Sequence, residues 1–110
     1  MTKKNLVRNY FERRTIPASA SINNDWEDIA DFPSFVCSVF SDQRVLTVVD
    51  FSMDKINIHR TIDTTINRTS ESIVFARIMR YVRVRITNIA IADANVSLQV
   101  IFGEVVGGVP

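Results

Sequence analysis

The sequence predicts an all-β protein: an antiparallel β-sandwich, jelly-roll-like, with seven or eight strands and an N-terminal arm. Three observations carry this. In residues 81–88 apolar and polar side chains alternate almost without error, which puts Val82, Val84 and Ile86 on one face of a strand and Tyr81, Arg83, Arg85 and Thr87 on the other. Short runs of the same kind recur along the chain, separated by turn-forming Asn, Asp, Pro, Gly and Ser residues. No segment leaves room for a crossover helix, so the sheets should be mainly antiparallel. A chain of 110 residues fits a single domain able to bury about two-thirds of its unfolded surface, enough for one core without a metal or a disulfide.

Residues 1–14 are set apart by their charge. They hold Lys3, Lys4, Arg8, Arg13 and Arg14 against Glu12 alone, a balance of +4 in a chain whose total is +1, which leaves the rest at −3. Among these charges stand Leu6, Val7, Tyr10 and Phe11, spaced either for one side of a short helix or for insertion one at a time from an extended arm. A helix this short is marginal alone in water, so the arm is expected to be ordered by contact. Lys3, Lys4, Leu6, Arg8, Tyr10, Phe11, Arg13 and Arg14 are therefore the candidate partner-binding residues, with Tyr10 and Phe11 laid into a neighbour's groove and the bases meeting acidic groups.

Pro17 closes any helix and opens a body expected over residues 15–105, with 18–22 as a first edge strand. Asn23, Asn24 and Asp25 turn the chain into a segment around Trp26, and Asp31-Phe32-Pro33 closes it. Residues 34–41 make the next strand, with Phe35, Cys37 and Val39 on one face and Val36 and Phe40 on the other. After a turn at Asp42-Gln43 comes a strand over 44–51, where Val45, Val49 and Phe51 oppose Leu46 and Val48. Apolar residues on both faces imply burial on both sides, or a neighbouring copy over one of them. Ile56, Ile58 and Ile62 alternate with polar residues as one more strand, and the polar residues 63–72 read as a long turn. Strands over 73–79 and 79–88, or one bent strand, precede a last strand over 96–102, and residues 106–110 form a tail containing Gly107 and Gly108.

No constellation for catalysis is expected. His59 is the single histidine and Cys37 the single cysteine, too few for a catalytic dyad or a zinc site without further ligands; Cys37 reads as a small buried thiol. The three glycines lie at 103, 107 and 108, far from any phosphate-binding loop. No cofactor or metal is expected. The N-terminus shows no signal-peptide pattern and no span approaches the ~20 apolar residues of a membrane helix, so neither secretion by that route nor a membrane partner is expected. The sequons Asn67-Arg68-Thr69 and Asn95-Val96-Ser97 read as chance matches. Arg83 and Arg85 beside Tyr81 would suit stacked bases and phosphates, but strand arginines commonly pair with carboxylates such as Asp50 or Asp63, and the body is net negative; nucleic acid is not the expected partner. Trp26 among Asp25, Glu27, Asp28 and Asp31 could stack on a sugar, with Trp26 and Asp28 as the ligand-binding candidates.

Taken in order, Trp26-Glu27-Asp28-Ile29, residues 34–43, Asp50-Phe51-Ser52-Met53-Asp54, residues 80–88 and residues 97–102 resemble a β-sandwich module of virion proteins from tailed bacteriophages and other large double-stranded DNA viruses. The resemblance spans residues 24–102 and leaves the basic arm outside. Proteins with this module usually follow the Phe-Ser-x-Asp piece with glycine and a tryptophan; here Lys55 follows Asp54 and no tryptophan comes after. The resemblance implies a module of head decoration, fibre or tail-associated proteins that acts without catalysis, located in the virion. The resulting expectation is a non-enzymatic virion structural protein that self-associates as a homo-oligomer and docks onto capsid or tail neighbours. The alternative is a carbohydrate- or host-receptor-binding module.

Overall fold

The computed structural model describes residues 6–103, which form nine strands and no helix among them. These are β1 (Leu6–Ile16), β2 (Ser21–Asn23), β3 (Glu27–Asp28), β4 (Ser34–Ser41), β5 (Arg44–Ser52), β6 (Arg60–Asn67), β7 (Ser70–Ala76), β8 (Tyr81–Asn88) and β9 (Ala94–Gly103). One sheet runs β1-β9-β4-β7; the other runs β2-β8-β5-β6, with β3 also paired to β8. Every pairing is antiparallel. The antiparallel sandwich expected from the alternation is thus present, with nine strands in place of seven or eight.

Inward-facing rows from both sheets interdigitate. Phe35 of β4 is fully buried, its ring centroid 6.1 Å from Phe51, 5.2 Å from Phe75 and 5.6 Å from Phe102, so it bridges β4 to β5, β7 and β9. Val45, Val49 and Phe51 of β5, Val82, Val84 and Ile86 of β8, and Val96, Leu98, Val100 and Phe102 of β9 complete the core. Each such side chain contributes about 1.5–3 kcal/mol on full burial. Cys37 lies in this core, and burial pushes its thiol up to about 12. Buried Asn88 ties the far end shut: its Nδ2 donates to the carbonyls of Ile16 (2.9 Å) and Ala92 (2.8 Å), and its Oδ1 accepts from Ala90 N–H (2.9 Å).

Two expectations need correction. The first concerns the arm, which from Leu6 onward is β1, an edge strand paired along β9. Its pattern reads poorly because the register shifts twice, between Asn9 and Phe11 and between Phe11 and Arg14, and Arg13 takes a positive φ of 47° while its N–H goes to Ser97 Oγ at 3.0 Å. Such bulges break the two-residue rhythm from which strands are recognised. Phe11 meets Leu98 in register and is buried in the core of its own sandwich. Lys3 and Lys4 lie outside the described residues, as does the expected tail over 106–110.

The second concerns β6, which begins at Arg60 and runs through the polar stretch expected to be a turn. Ile62 and Ile66 face Val49 and Val45 across β5, and the β-branched Thr64 and Thr65 suit a strand. Residues 53–59 are instead a turn built on side-chain caps. Asp54 Oδ1 accepts from the N–H groups of Ile56 and Asn57, both at 2.9 Å, while Ser52 Oγ accepts from those of Asp54 (3.1 Å) and Lys55 (3.0 Å). The bonds from the Asn57 and Ile56 N–H groups hold the Asp54 carboxyl well below the usual range. Ile56 is consequently 82% exposed rather than aligned on a strand face. Lys55, at the position where the virion module usually carries glycine, adopts φ 64°, the left-handed conformation glycine enters most easily.

Candidate functional site

The outward faces of the two sheets differ, and the difference follows from which rows carry charge. On the five-stranded sheet, Asp50 of β5 pairs in register with Arg83 of β8 and Thr61 of β6. Its carboxylate is wholly buried, accepting from Arg83 at 3.0 Å, Arg85 at 3.3 Å and Thr61 Oγ1 at 3.1 Å. Of the two carboxylates the sequence offered, the register selects Asp50. The Arg83 guanidinium also lies over the Trp26 ring at 4.5 Å from its centroid. Val48, in register with Arg85, is buried on this outer face, while Leu46 on the same face is half-buried.

Trp26 sits where the edge of this sheet is interrupted. Between β2 and β3, Asn24 substitutes for the ladder: its N–H donates to Val84 O (3.2 Å) and its Oδ1 accepts from Val84 N–H (2.7 Å). The gap opens a cleft of about 440 Å³ lined by Trp26, Asn23, Asp25, Glu27, Arg8 and Tyr10 among others. Here Tyr10 Oη donates to Glu27 Oε1 at 2.6 Å and Arg8 Nε donates to the same oxygen at 3.2 Å. Burial and the bond to the Glu27 carboxylate push the Tyr10 phenol far above its ordinary range. Asp28 faces away from this cleft chemistry: Arg80 grips it, Nη2 to Oδ2 at 2.8 Å, and that bond with one from Ala30 N–H holds its carboxyl below the usual value. The structure therefore gathers Arg8, Tyr10 and Trp26 around one cleft, places Asp28 in a separate ion pair, and leaves Arg13 and Arg14 exposed near the β1 bulge.

The four-stranded sheet presents a different outer surface. Val7, Ile101, Val36 and Val74 stand opposite one another in register across β1, β9, β4 and β7, a continuous row of β-branched side chains. Val7 is 50% and Val74 57% exposed, with Ile101 and Val36 half-buried between them. The next row is polar, Asn9, Gln99, Ser38 and Ser72, tied by Gln99 Nε2 to Asn9 Oδ1 (2.9 Å) and by the Ser38 and Ser72 hydroxyls (2.8 Å). Beyond it Phe40 is 48% exposed beside a groove of about 350 Å³ whose rim carries Glu12 and Glu71. The sequence singled out Val36 and Phe40 as the second apolar face of β4. It did not reveal the row, because Val7, Val74 and Ile101 meet Val36 only through strand order and register.

Among the described residues no group of three or more His, Cys, Asp or Glu side chains is arranged to hold a metal ion. His59 accepts Met53 N–H at Nδ1 (3.1 Å), so its role there is to close the 53–59 turn.

No family model matches the chain, and no curated protein sequence matches it significantly. The fold is similar to the crystal structure of PBSX exported protein XepA, with a TM-score of 0.74 over 96% of this chain at 11% sequence identity. The chain spans 41% of that protein, so the likeness shows a shared β-sandwich fold for a part of it.

Proposed function

We propose that this protein is a non-enzymatic structural component of a phage virion that acts by self-association and by docking onto neighbouring virion proteins. The observation that carries the reading is the apolar row of Val7, Ile101, Val36 and Val74 on the outer face of the four-stranded sheet, with exposed Phe40 on the same face beyond a polar row. On the opposite sheet, apolar Val48 is covered by the chain's own side chains; on this one the row faces outward, as a surface meant for another protein does. The likeness to a phage exported protein and the resemblance to virion modules supply the setting.

The test is to look for the chain in gradient-purified particles by mass spectrometry and immunogold labelling. It is expected in the particle fraction, and Val36→Lys with Ile101→Lys should displace it while leaving its melting temperature within a few degrees. Its absence from particles, when it is abundant in the same lysate, refutes the reading.

A second reading, a carbohydrate- or host-receptor-binding module, is favoured by one observation: the cleft that joins Trp26 and Tyr10 to Asn23, Asp25 and Glu27 offers an aromatic wall beside amide and carboxylate groups. Trp26 is the single tryptophan, so its fluorescence reports directly on that cleft. No change on adding a panel of glycans at millimolar concentration removes this alternative.

A further inference from the structure

We propose that β7 forms an antiparallel pair with β7 of a second copy, centred on Val74, so that two four-stranded sheets become one of eight strands. This rests on the self-association in the reading above and names its geometry.

The other sheet edges are blunted in the ways that discourage pairing. β1 carries two register shifts and Arg8, Arg13 and Arg14; β6 carries Arg60 and Asp63; β2 has only three residues. β7 has neither the shifts nor the basic residues of those edges, and its one charge is Glu71. It pairs with β4 over seven consecutive positions without a shift, and Ser70–Ala76 contains no proline, glycine, lysine or arginine. A flat strand of this kind at the end of a sheet is a template for another strand.

Its hydrogen-bonding groups point the right way. Ser41 N–H donates to Thr69 O (3.1 Å) and Arg77 N–H donates to Pro33 O (2.8 Å), so the odd-numbered residues face β4. By the alternation of an antiparallel ladder, Ser70, Ser72, Val74 and Ala76 turn their N–H and C=O groups to the open edge. Centring the pair on Val74 sets Ser72 opposite Ala76 of the second copy and joins the edges by about six backbone hydrogen bonds.

The same register satisfies the side chains. Glu71 of each copy falls opposite Arg77 of the other, on the same face and at the closer, non-hydrogen-bonded type of position; Arg77 Nη1 donates to the Ala30 (2.6 Å) and Phe32 (3.3 Å) carbonyls of its own chain, so the ion pair is made by the rest of a guanidinium already held in place. Ile73 meets Phe75, and Val74 meets Val74, which carries the row of Val7, Ile101, Val36 and Val74 unbroken into the second copy. Shifting to the neighbouring allowed registers sets Glu71 against Phe75, or Arg77 against Ile73, and loses both charge pairs. The charge complementarity therefore selects one arrangement, and its partner is the chain itself.

The experiment is sedimentation equilibrium on the full chain. Wild type should dimerise. Glu71→Arg and Arg77→Glu, which each place like charges opposite one another twice per dimer, should each weaken the dimer about tenfold or more, and the double exchange should return it to within about threefold of wild type. Val74→Pro removes an N–H that faces the edge and no bond to β4, so it should abolish the dimer with the thermal transition retained. A wild type that stays monomeric at ~100 µM, a dimer indifferent to the single reversals, or a double exchange no better than either single overturns the pairing. A wild type that is monomeric yet present in particles overturns this geometry alone; a wild-type dimer that is absent from particles overturns the virion reading alone.

Discussion

Asp50→Asn is the substitution whose cost the structure states most directly. The carboxylate is fully buried on the outer face of β5, with Arg83 at 3.0 Å, Arg85 at 3.3 Å and the Thr61 hydroxyl at 3.1 Å. The amide keeps the shape and can still accept from Thr61, but it removes the negative charge that both guanidiniums approach. A hydrogen bond to a charged group contributes roughly 1.5–3 kcal/mol, and the longer Arg85 contact about half as much. The arginine side chains are 22% and 37% exposed and can turn toward water, which keeps the loss below the ~3–5 kcal/mol of a fully buried broken pair. The expected loss is therefore about 2–4 kcal/mol, a fall in melting temperature of roughly 8–16 °C for a domain of this size. Urea denaturation followed by tryptophan fluorescence measures it, with the slope unchanged. Asp63→Asn, an exposed carboxylate on the adjacent β6, is the control and should stay within about 0.5 kcal/mol. If Asp50→Asn costs under ~1 kcal/mol, or no more than Asp63→Asn, the ion cluster is not what holds this face together.

Three more outcomes follow from the core and the Trp26 cleft. Phe35→Ala opens a cavity where three other rings meet, and should cost about 3–5 kcal/mol by urea denaturation; a loss under ~1.5 kcal/mol would show that the rings are not packed as described. Tyr10 has its folded pKa raised, so the neutral phenol contributes stability that is full below the unfolded value near 10 and declines as pH climbs past it. In a Cys37→Ala background, Tyr10→Phe should accordingly flatten the decline above pH 10, and an identical slope in both chains would contradict the buried, Glu27-bonded phenol. Cys37 should react with a thiol reagent only as fast as the domain unfolds, its rate rising with urea, whereas fast labelling in water would place the thiol outside the core.

Much of the sandwich was legible because the strands that build it keep their rhythm. β4 and β8 were readable nearly end to end, and Phe35, Cys37 and Val39 fall on the core side as their spacing requires. β1 was not, since its bulges put Phe11 and Ile16 inward at irregular intervals among six exposed charged and polar residues. β6 was hidden differently: Ile56 and Ile58 continue the alternation of Ile62 into what is a capped turn, and only the hydrogen bonds of Ser52, Asp54 and His59 mark where the strand begins. Among the candidate site residues, Trp26 was visible as the sole tryptophan, but its neighbours Arg8 and Tyr10 lie 16 or more residues away and reach it through the pairing of β1 with β9 and of β3 with β8.

What the sequence determined by itself is the alternation: which side chains of each strand lie together on one face, and hence that the chain folds as stacked antiparallel sheets. Periodicity of two is a local property, written in consecutive residues. Strand order and register belong to the tertiary structure, because they arise from contacts between distant segments. They alone decided that Asp50 meets Arg83 and Arg85, that one outer face is sealed by charge, and that four apolar residues from four strands align on the other.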